Sequence, residues 1–150
     1  GDDAYSEPLD GGDAVRIAVR TVSHAPDFLP IESTDLPEVD HPVLLRACEY
    51  LGIPPMHIPG YEGQDKYATI ANGDADFYLR PERPNDRLHY IWDHVPGVAI
   101  LTRAGGIASD LTGKPLDFTH GDRLPTLGLI VSSRAAHEQV VAAYQAIKGL

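Results

Sequence analysis

Ile91-Trp92-Asp93-His94, followed by the apolar run Val95-Pro96-Gly97-Val98-Ala99-Ile100-Leu101 and closed by Gly105-Gly106, is the stretch around which this chain is organised. The run is long enough for a short helix reaching Ala104, Asp93 occupies the place of an N-cap, and the glycine pair ends it. A carboxylate there lies at the positive end of a helix dipole, where it serves equally well as a metal ligand or as an ordinary cap. Spacing alone leaves both readings open.

On the amino-terminal side of this stretch, residues 63–72 set Tyr67, Ile70 and Ala71 on one side of a short helix. Asp76-Phe77-Tyr78-Leu79-Arg80 then alternates, with Phe77 and Leu79 on one face and Asp76, Tyr78 and Arg80 on the other, so Arg80 stands at a strand end. Residues 81–89 form a polar, proline-containing loop that delivers the chain to Trp92-Asp93. On the carboxy-terminal side, residues 107–111 and 115–118 read as two short strands about a Thr112-Gly113 turn. Residues 127–131 form a compact apolar strand, and Ser132-Ser133 is expected to cap a closing helix over 134–148. Trp92 is expected to pack beneath its helix and His94 to be structural. Asp74, Asp76, Asp110 and Asp117 read as turn and surface acids, because they share no cage-like spacing.

The first third of the chain is less regular. Residues 4–22 read as a hairpin about Leu9-Asp10-Gly11-Gly12, and residues 26–42, rich in proline and acids, as a loop. Asp40 is expected to cap a helix through Val43, Leu44, Ala47, Cys48 and Leu51, with Gly52 as its stop. Residues 53–59, apolar but laden with proline, make at best an edge strand. Strands alternating with helices indicate an α/β fold, a layered mixed sheet flanked by helices.

A chain of 150 residues is one domain's worth and buries on the order of 70% of its unfolded surface. A formal net charge of -10 excludes nucleic-acid polymers and anionic membranes as natural partners, since no basic stripe exists to release counterions. A small phosphorylated ligand held by a few cations and a metal remains compatible. Cys48 is the single cysteine, which rules out an internal disulfide and a thiolate zinc site and points to a reducing compartment. No apolar stretch approaches the roughly 20 residues of a membrane span. The acidic start, Gly1-Asp2-Asp3, lacks the basic region of a signal peptide. A soluble, cytoplasmic protein is expected.

Taken in order, Lys66-Tyr67, Asp74 to Arg80, Ile91-Trp92-Asp93-His94, Ala104-Gly105-Gly106 and Leu111-Thr112-Gly113-Lys114-Pro115-Leu116-Asp117-Phe118 resemble the carboxy-terminal part of the inositol monophosphatase superfamily. These are Mg-dependent, lithium-sensitive phosphatases with a sugar-phosphatase (αβαβα) fold, and the series looks most like the 3'(2'),5'-bisphosphate nucleotidases. The resemblance implies removal of the 3'-phosphate from adenosine 3',5'-bisphosphate or its sulfated form, with an inositol or sugar monophosphatase as the alternative within the class. A non-catalytic binding or scaffold relic is the alternative outside it.

The same resemblance implies roles. Asp93 would be the last carboxylate of a Mg2+ site and touch substrate, Lys66 and Arg80 would bind the nucleotide, and His24, in Ser23-His24, would sit near its base. Magnesium held by carboxylates neutralises the transferred phosphoryl group and activates water, and an ammonium with a guanidinium fork suits a second phosphate. Gly63 stands where some nucleotidases carry a serine. Glu7-Pro8-Leu9-Asp10-Gly11-Gly12 looks like a degraded copy of the superfamily's Asp-Pro-Ile/Leu-Asp-Gly-Thr metal motif, but its polar, β-rich setting reads as a turn. The remaining metal ligands are therefore expected from an amino-terminal domain. Residues 1–22 would be a hairpin remnant of that domain and residues 23–150 the carboxy-terminal α/β domain, inactive alone.

Overall fold

A computed structural model describes residues 2–149, so Gly1 of the acidic start lies outside the described residues. A five-stranded mixed sheet forms the centre, in the order β4-β3-β5-β7-β6. Its strands are β3 (Pro30–Ser33), β4 (Gly60–Tyr61), β5 (Phe77–Arg80), β6 (Gly106–Ser109) and β7 (Leu129–Ser133). β3 runs parallel to both β4 and β5, whereas β7 is antiparallel to β5 and to β6. A separate antiparallel hairpin joins β1 (Ala4–Ser6) to β2 (Val15–Ile17), as the turn at Leu9 to Gly12 predicts.

Alternation along the strands divides the interior into two cores. Phe77 and Leu79 of β5 and Ile130 of β7 pack with Leu44, Ala47 and Cys48 of α1 (Pro37–Leu51) and with Val140 and Ala143 of α4 (His137–Ile147). Tyr78, Leu129 and Val131 point the other way, against Tyr67 and Ile70 of α2 (Asp65–Ala71) and Leu101 of α3 (Val95–Arg103). The sheet is thus covered on both faces, which explains why all residues of β5 and β7 are buried. Ala4 and Ile17 of the hairpin join the α2/α3 side. Burial pushes the Cys48 thiol up to about 11, in keeping with an inert core residue.

Helices α2 and α3 approach closely because Gly97 has no side chain: a Cβ there would lie 2.5 Å from the Tyr67 ring. At the carboxyl end of α1, Gly52 adopts φ 72 and its N–H caps the carbonyls of Cys48 and Glu49, stopping the helix as expected.

Several expectations are corrected. Residues 26–42 are no loop: they contain an interior strand, β3, and the start of α1 at Pro37. Asp40 does not cap α1. The N-cap is Leu36, and Asp40 is buried in the first turn, where Arg83 grips it through Nε at 2.9 Å and a terminal nitrogen at 2.5 Å. The edge strand falls at Gly60–Tyr61 rather than over 53–59. Residues 115–118 add one bridge, Ser109 to Pro115, and not a second strand. Ser132 and Ser133 belong to β7, and α4 begins only at His137. Asp76 is no surface acid: it is fully buried, accepts the Leu29 N–H at 2.8 Å and meets Arg20 at 3.1 Å. Burial pushes its carboxyl up, against the opposing pull of the Leu29 N–H and the Arg20 guanidinium.

Candidate functional site: a cationic cleft at the strand ends

The carboxyl ends of β3 and β5, the start of α2 and the segment before α3 enclose a cleft of about 780 Å³. Open α/β sheets place ligand sites at such strand ends. Although the chain is strongly acidic, this cleft is lined by Lys66, Arg80, Arg83, Arg87 and Arg123, against two carboxylates, Asp35 and Asp93. The sequence-predicted Lys66, Arg80 and Asp93 therefore share one cavity. His24 does not line it. It is exposed beside Asp27, at 3.2 Å, in a segment whose Val22 and Ala25 pack on the α1/α4 side of the sheet. The structure thus brings Lys66, Arg80 and Asp93 together and leaves His24 outside this cleft.

The five cations differ in what already holds them. Arg80 makes a two-pronged pair with Asp86, at 2.7 and 3.0 Å, and also donates to the Leu127 carbonyl. Arg83 is spent on Asp40 in the same way, and that hydrogen-bonded pairing raises its pKa further. Lys66 is different. It is 7% exposed, its Nζ reaches the Ser33 hydroxyl at 3.4 Å and the Tyr61 carbonyl at 3.5 Å, and it lies 5.2 Å above the Tyr78 ring. Among the described residues, no carboxylate comes within ion-pair distance of Lys66 or of Arg123. Burial lowers the Lys66 pKa, with Asp35 opposing. A nearly buried ammonium held by neutral oxygens alone is costly unless an anion joins it.

Asp93 closes a 3-10 turn, Ile91–Asp93, and the N-cap of α3 is the next residue, His94, which makes no side-chain cap. The expected cap at Asp93 is thereby corrected: capping comes from Gln64, whose side-chain oxygen accepts the Gly97 N–H at 2.5 Å while its amide donates to the Trp92 carbonyl at 3.4 Å. Relieved of capping, the Asp93 carboxylate is exposed on the cleft wall. Magnesium asks for near-octahedral oxygen ligation. Among the described residues no group of three or more His, Cys, Asp or Glu is arranged to hold a metal, so Asp93 fits as one ligand of such a site and the residues present do not complete it.

Behind Asp93 lies a buried relay. The Tyr67 hydroxyl meets His94 Nδ1 at 2.6 Å, and His94 Nε2 meets His89 Nδ1 at 2.6 Å, with the two imidazoles stacked at 4.8 Å. Burial lowers His94 to about 3, helped by His89, and lowers His89 to about 4, helped by Arg80. Burial thus favours the neutral form of both rings, and His94, expected to be structural, is held between Tyr67 and His89 at the cleft wall. Since the folded values lie below the ordinary 6.5, the stability these rings contribute is full above pH 6.5 and is lost as pH falls through 4 and 3. Urea midpoints are expected to fall between pH 7 and pH 4.5, and to fall less in a His89→Phe chain. A midpoint that does not move over that interval contradicts the buried neutral pair.

Sequence reasoning missed Arg83, Arg87, Tyr90 and Arg123 as lining residues. It also misjudged Trp92, which does not pack beneath α3 but is 55% exposed and stacked on Tyr90 at 4.3 Å. The alternation of Arg87, Tyr90 and Trp92 just before Asp93 was the available signal for these three, and Arg123, 30 residues beyond Asp93, gave none.

Residues 43–148 match the model of the inositol monophosphatase family. Over 139 residues, 89% of this chain and 38% of the relative, the chain is 34% identical to the probable 3'(2'),5'-bisphosphate nucleotidase 4 of Arabidopsis thaliana. Over 95% of this chain and 39% of the relative, it is 32% identical to a 3'(2'),5'-bisphosphate nucleotidase of Oryza sativa. The chain thus spans about two-fifths of the length of these relatives. In fold it is similar to an IMPase of Thermotoga maritima, with a TM-score of 0.68 at 19% identity over 93% of this chain and 50% of that one. An inositol monophosphatase from Anabaena (Nostoc) gives 0.63 at 21% identity, over 94% of this chain and 55% of that one. The chain belongs to the inositol monophosphatase family, and its mixed sheet with helices on both faces is the fold of the solved structures it resembles.

Proposed function

We propose that this chain forms the substrate-binding part of a phosphomonoester hydrolase acting on a 3',5'-bisphosphorylated nucleoside, removing the 3'-phosphate from adenosine 3',5'-bisphosphate or its sulfated form. The observation that carries the reading is Lys66, a nearly buried cation without a carboxylate partner among the described residues, in the same cleft as Asp93. The nucleotidase names of the relatives support it.

In this reading Lys66 binds a phosphate that is not being cleaved, so that the other is presented towards Asp93. Asp93 would hold one coordination position of a magnesium ion, whose chemistry there would be to neutralise the phosphoryl group and activate water. The remaining ligands come from other sequence of the whole enzyme. Residues 1–22 belong with that sequence in our reading, residues 23–150 form the binding domain, and the chain alone does not turn over. Arg80 has a lesser role than Lys66, because Asp86 already neutralises it; it shapes the wall and attracts anions. No described helix is long and apolar enough to cross a membrane, and the lone buried cysteine suits a reducing, cytoplasmic setting.

An inositol or sugar monophosphatase needs no second phosphate grip, which gives the test. Lys66→Met removes a buried charge and so spares the fold. It is expected to weaken binding of adenosine 3',5'-bisphosphate by about 10- to 100-fold, but of inositol 1-phosphate by less than threefold. Equal losses for both ligands would favour the monophosphatase, and no binding of either by the parent chain would favour a relic.

A further inference from the structure

Arg123 and Tyr90 enter the cleft together. They face each other across an isolated antiparallel bridge, and the Arg123 guanidinium carbon lies 3.4 Å from the centre of the Tyr90 ring. That distance requires the guanidinium to lie flat on the ring, as a cation does on an aromatic face. A terminal nitrogen of Arg123 donates to the Leu88 carbonyl at 2.8 Å, which fixes the plane further. Trp92 stacks on Tyr90 at 4.3 Å and 13°. Two groups that close to one ring occupy its opposite faces, so the three side chains form a column, Trp92-Tyr90-Arg123.

The column ends in the cleft. Arg123 and Tyr90 line it and Trp92 does not, so the guanidinium is the layer turned towards a ligand. Its free face is planar, preorganised and without a carboxylate among the described residues. Arg80 and Arg83, by contrast, are already paired with Asp86 and Asp40, and their side chains are only 9% and 8% exposed.

We infer that Arg123, held flat by Tyr90, is the stacking platform for the purine base of the ligand. Guanidinium planes stack bases, and a planar cation already immobilised loses little entropy in doing so. The inference rests on the nucleotide reading above and adds to it the group that tells a nucleotide from an inositol or sugar phosphate: neither of those has a flat aromatic ring to lay on the column.

The test uses the whole chain and three probes, adenosine 3',5'-bisphosphate, ribose 5-phosphate and inorganic phosphate. A base lying over the guanidinium shifts the Arg123 side-chain N–H resonances upfield through its ring current. It also perturbs the fluorescence of Trp92, the single tryptophan of the chain, at the far end of the column. Both signals are expected with the bisphosphate and with neither of the other probes. Arg123→Lys keeps the charge but removes the plane. It is expected to weaken the bisphosphate by about tenfold, within the range found for stacking on one base, and to leave phosphate affinity within twofold.

Equal loss for bisphosphate and phosphate would make Arg123 a phosphate grip and overturn the platform. An Arg123 signal unmoved while the bisphosphate shifts Lys66 would overturn it too, and would leave the nucleotide reading standing. If ribose 5-phosphate binds as tightly as the bisphosphate and neither moves Arg123, both readings fall together.

Discussion

Asp40→Ala is expected to destabilise the chain by about 3–5 kcal/mol, the usual consequence of removing one partner from a buried ion pair. The Arg83 side chain is 8% exposed and that of Asp40 2%, and two hydrogen bonds join them. Deleting the carboxylate strands a guanidinium with only the Asp35 carbonyl, 3.1 Å away, and the distant, exposed Asp35 carboxylate to answer it. This pair also ties the loop after β5 to the first turn of α1, across one wall of the cleft. Equilibrium urea unfolding reads the loss as a lower midpoint at unchanged slope. A double Asp40→Leu, Arg83→Met chain is expected to recover most of it, because an apolar pair of similar size costs no desolvation. A loss below about 1 kcal/mol in the single variant would place the pair with ordinary solvated ones.

That pair marks where sequence reading stops. Asp40 lies 43 residues from Arg83, and nothing local distinguishes a buried, paired acid from a helix cap. The same holds for Asp76, whose alternation with Tyr78 and Arg80 suggested a polar face, whereas the sheet is covered on both sides and Arg20 and the Leu29 N–H meet the carboxylate from distant sequence. The stretch 26–42 misled for another reason. Two of its four prolines, Pro30 and Pro37, occupy positions that tolerate them, the first residue of β3 and the first residue of α1, while Pro42 lies inside α1, so four residues of interior strand hide inside a loop-like composition. Where periodicity was local the reading held: α2, β5, α3 and the hairpin fall within a few residues of expectation.

The site divides in the same way. Lys66, Arg80 and Asp93 were legible because they lie within a short, ordered series, and they converge on one cleft. Which of the cations is free was not legible, since Asp86 and Asp40 decide it through contacts formed only on folding. The exposure of Trp92 escaped for the same cause: whether an aromatic packs inward depends on Tyr90 and on an arginine thirty-odd residues further along.

Asp93→Asn should act in opposite directions on binding and on turnover. Without metal, Asp93 is one of two carboxylates facing a phosphorylated ligand among five cations, so neutralising it is expected to tighten adenosine 3',5'-bisphosphate by about two- to fivefold, as a nearby like charge in partly exposed surroundings costs about 0.5–1 kcal/mol. In a complete enzyme with Mg2+, the same change would remove the proposed metal ligand and is expected to lower kcat by about 10²- to 10³-fold, the scale of losing one charge-stabilising group. The split identifies a ligand-facing metal carboxylate. A helix cap would instead lose stability and change both quantities little. Unchanged turnover in the complete enzyme would remove Asp93 from the site.

Calorimetry of the 150-residue chain with adenosine 3',5'-bisphosphate, run with and without Mg2+ and followed by an assay for released phosphate, measures most directly what these residues supply. Saturable binding without metal, changed by Mg2+ less than about tenfold and accompanied by no phosphate release, is the predicted result, because the proposed cleavage would need a metal site and no group of three or more candidate ligands is found among the described residues. Phosphate released by this chain alone at the rate of a complete nucleotidase would contradict it.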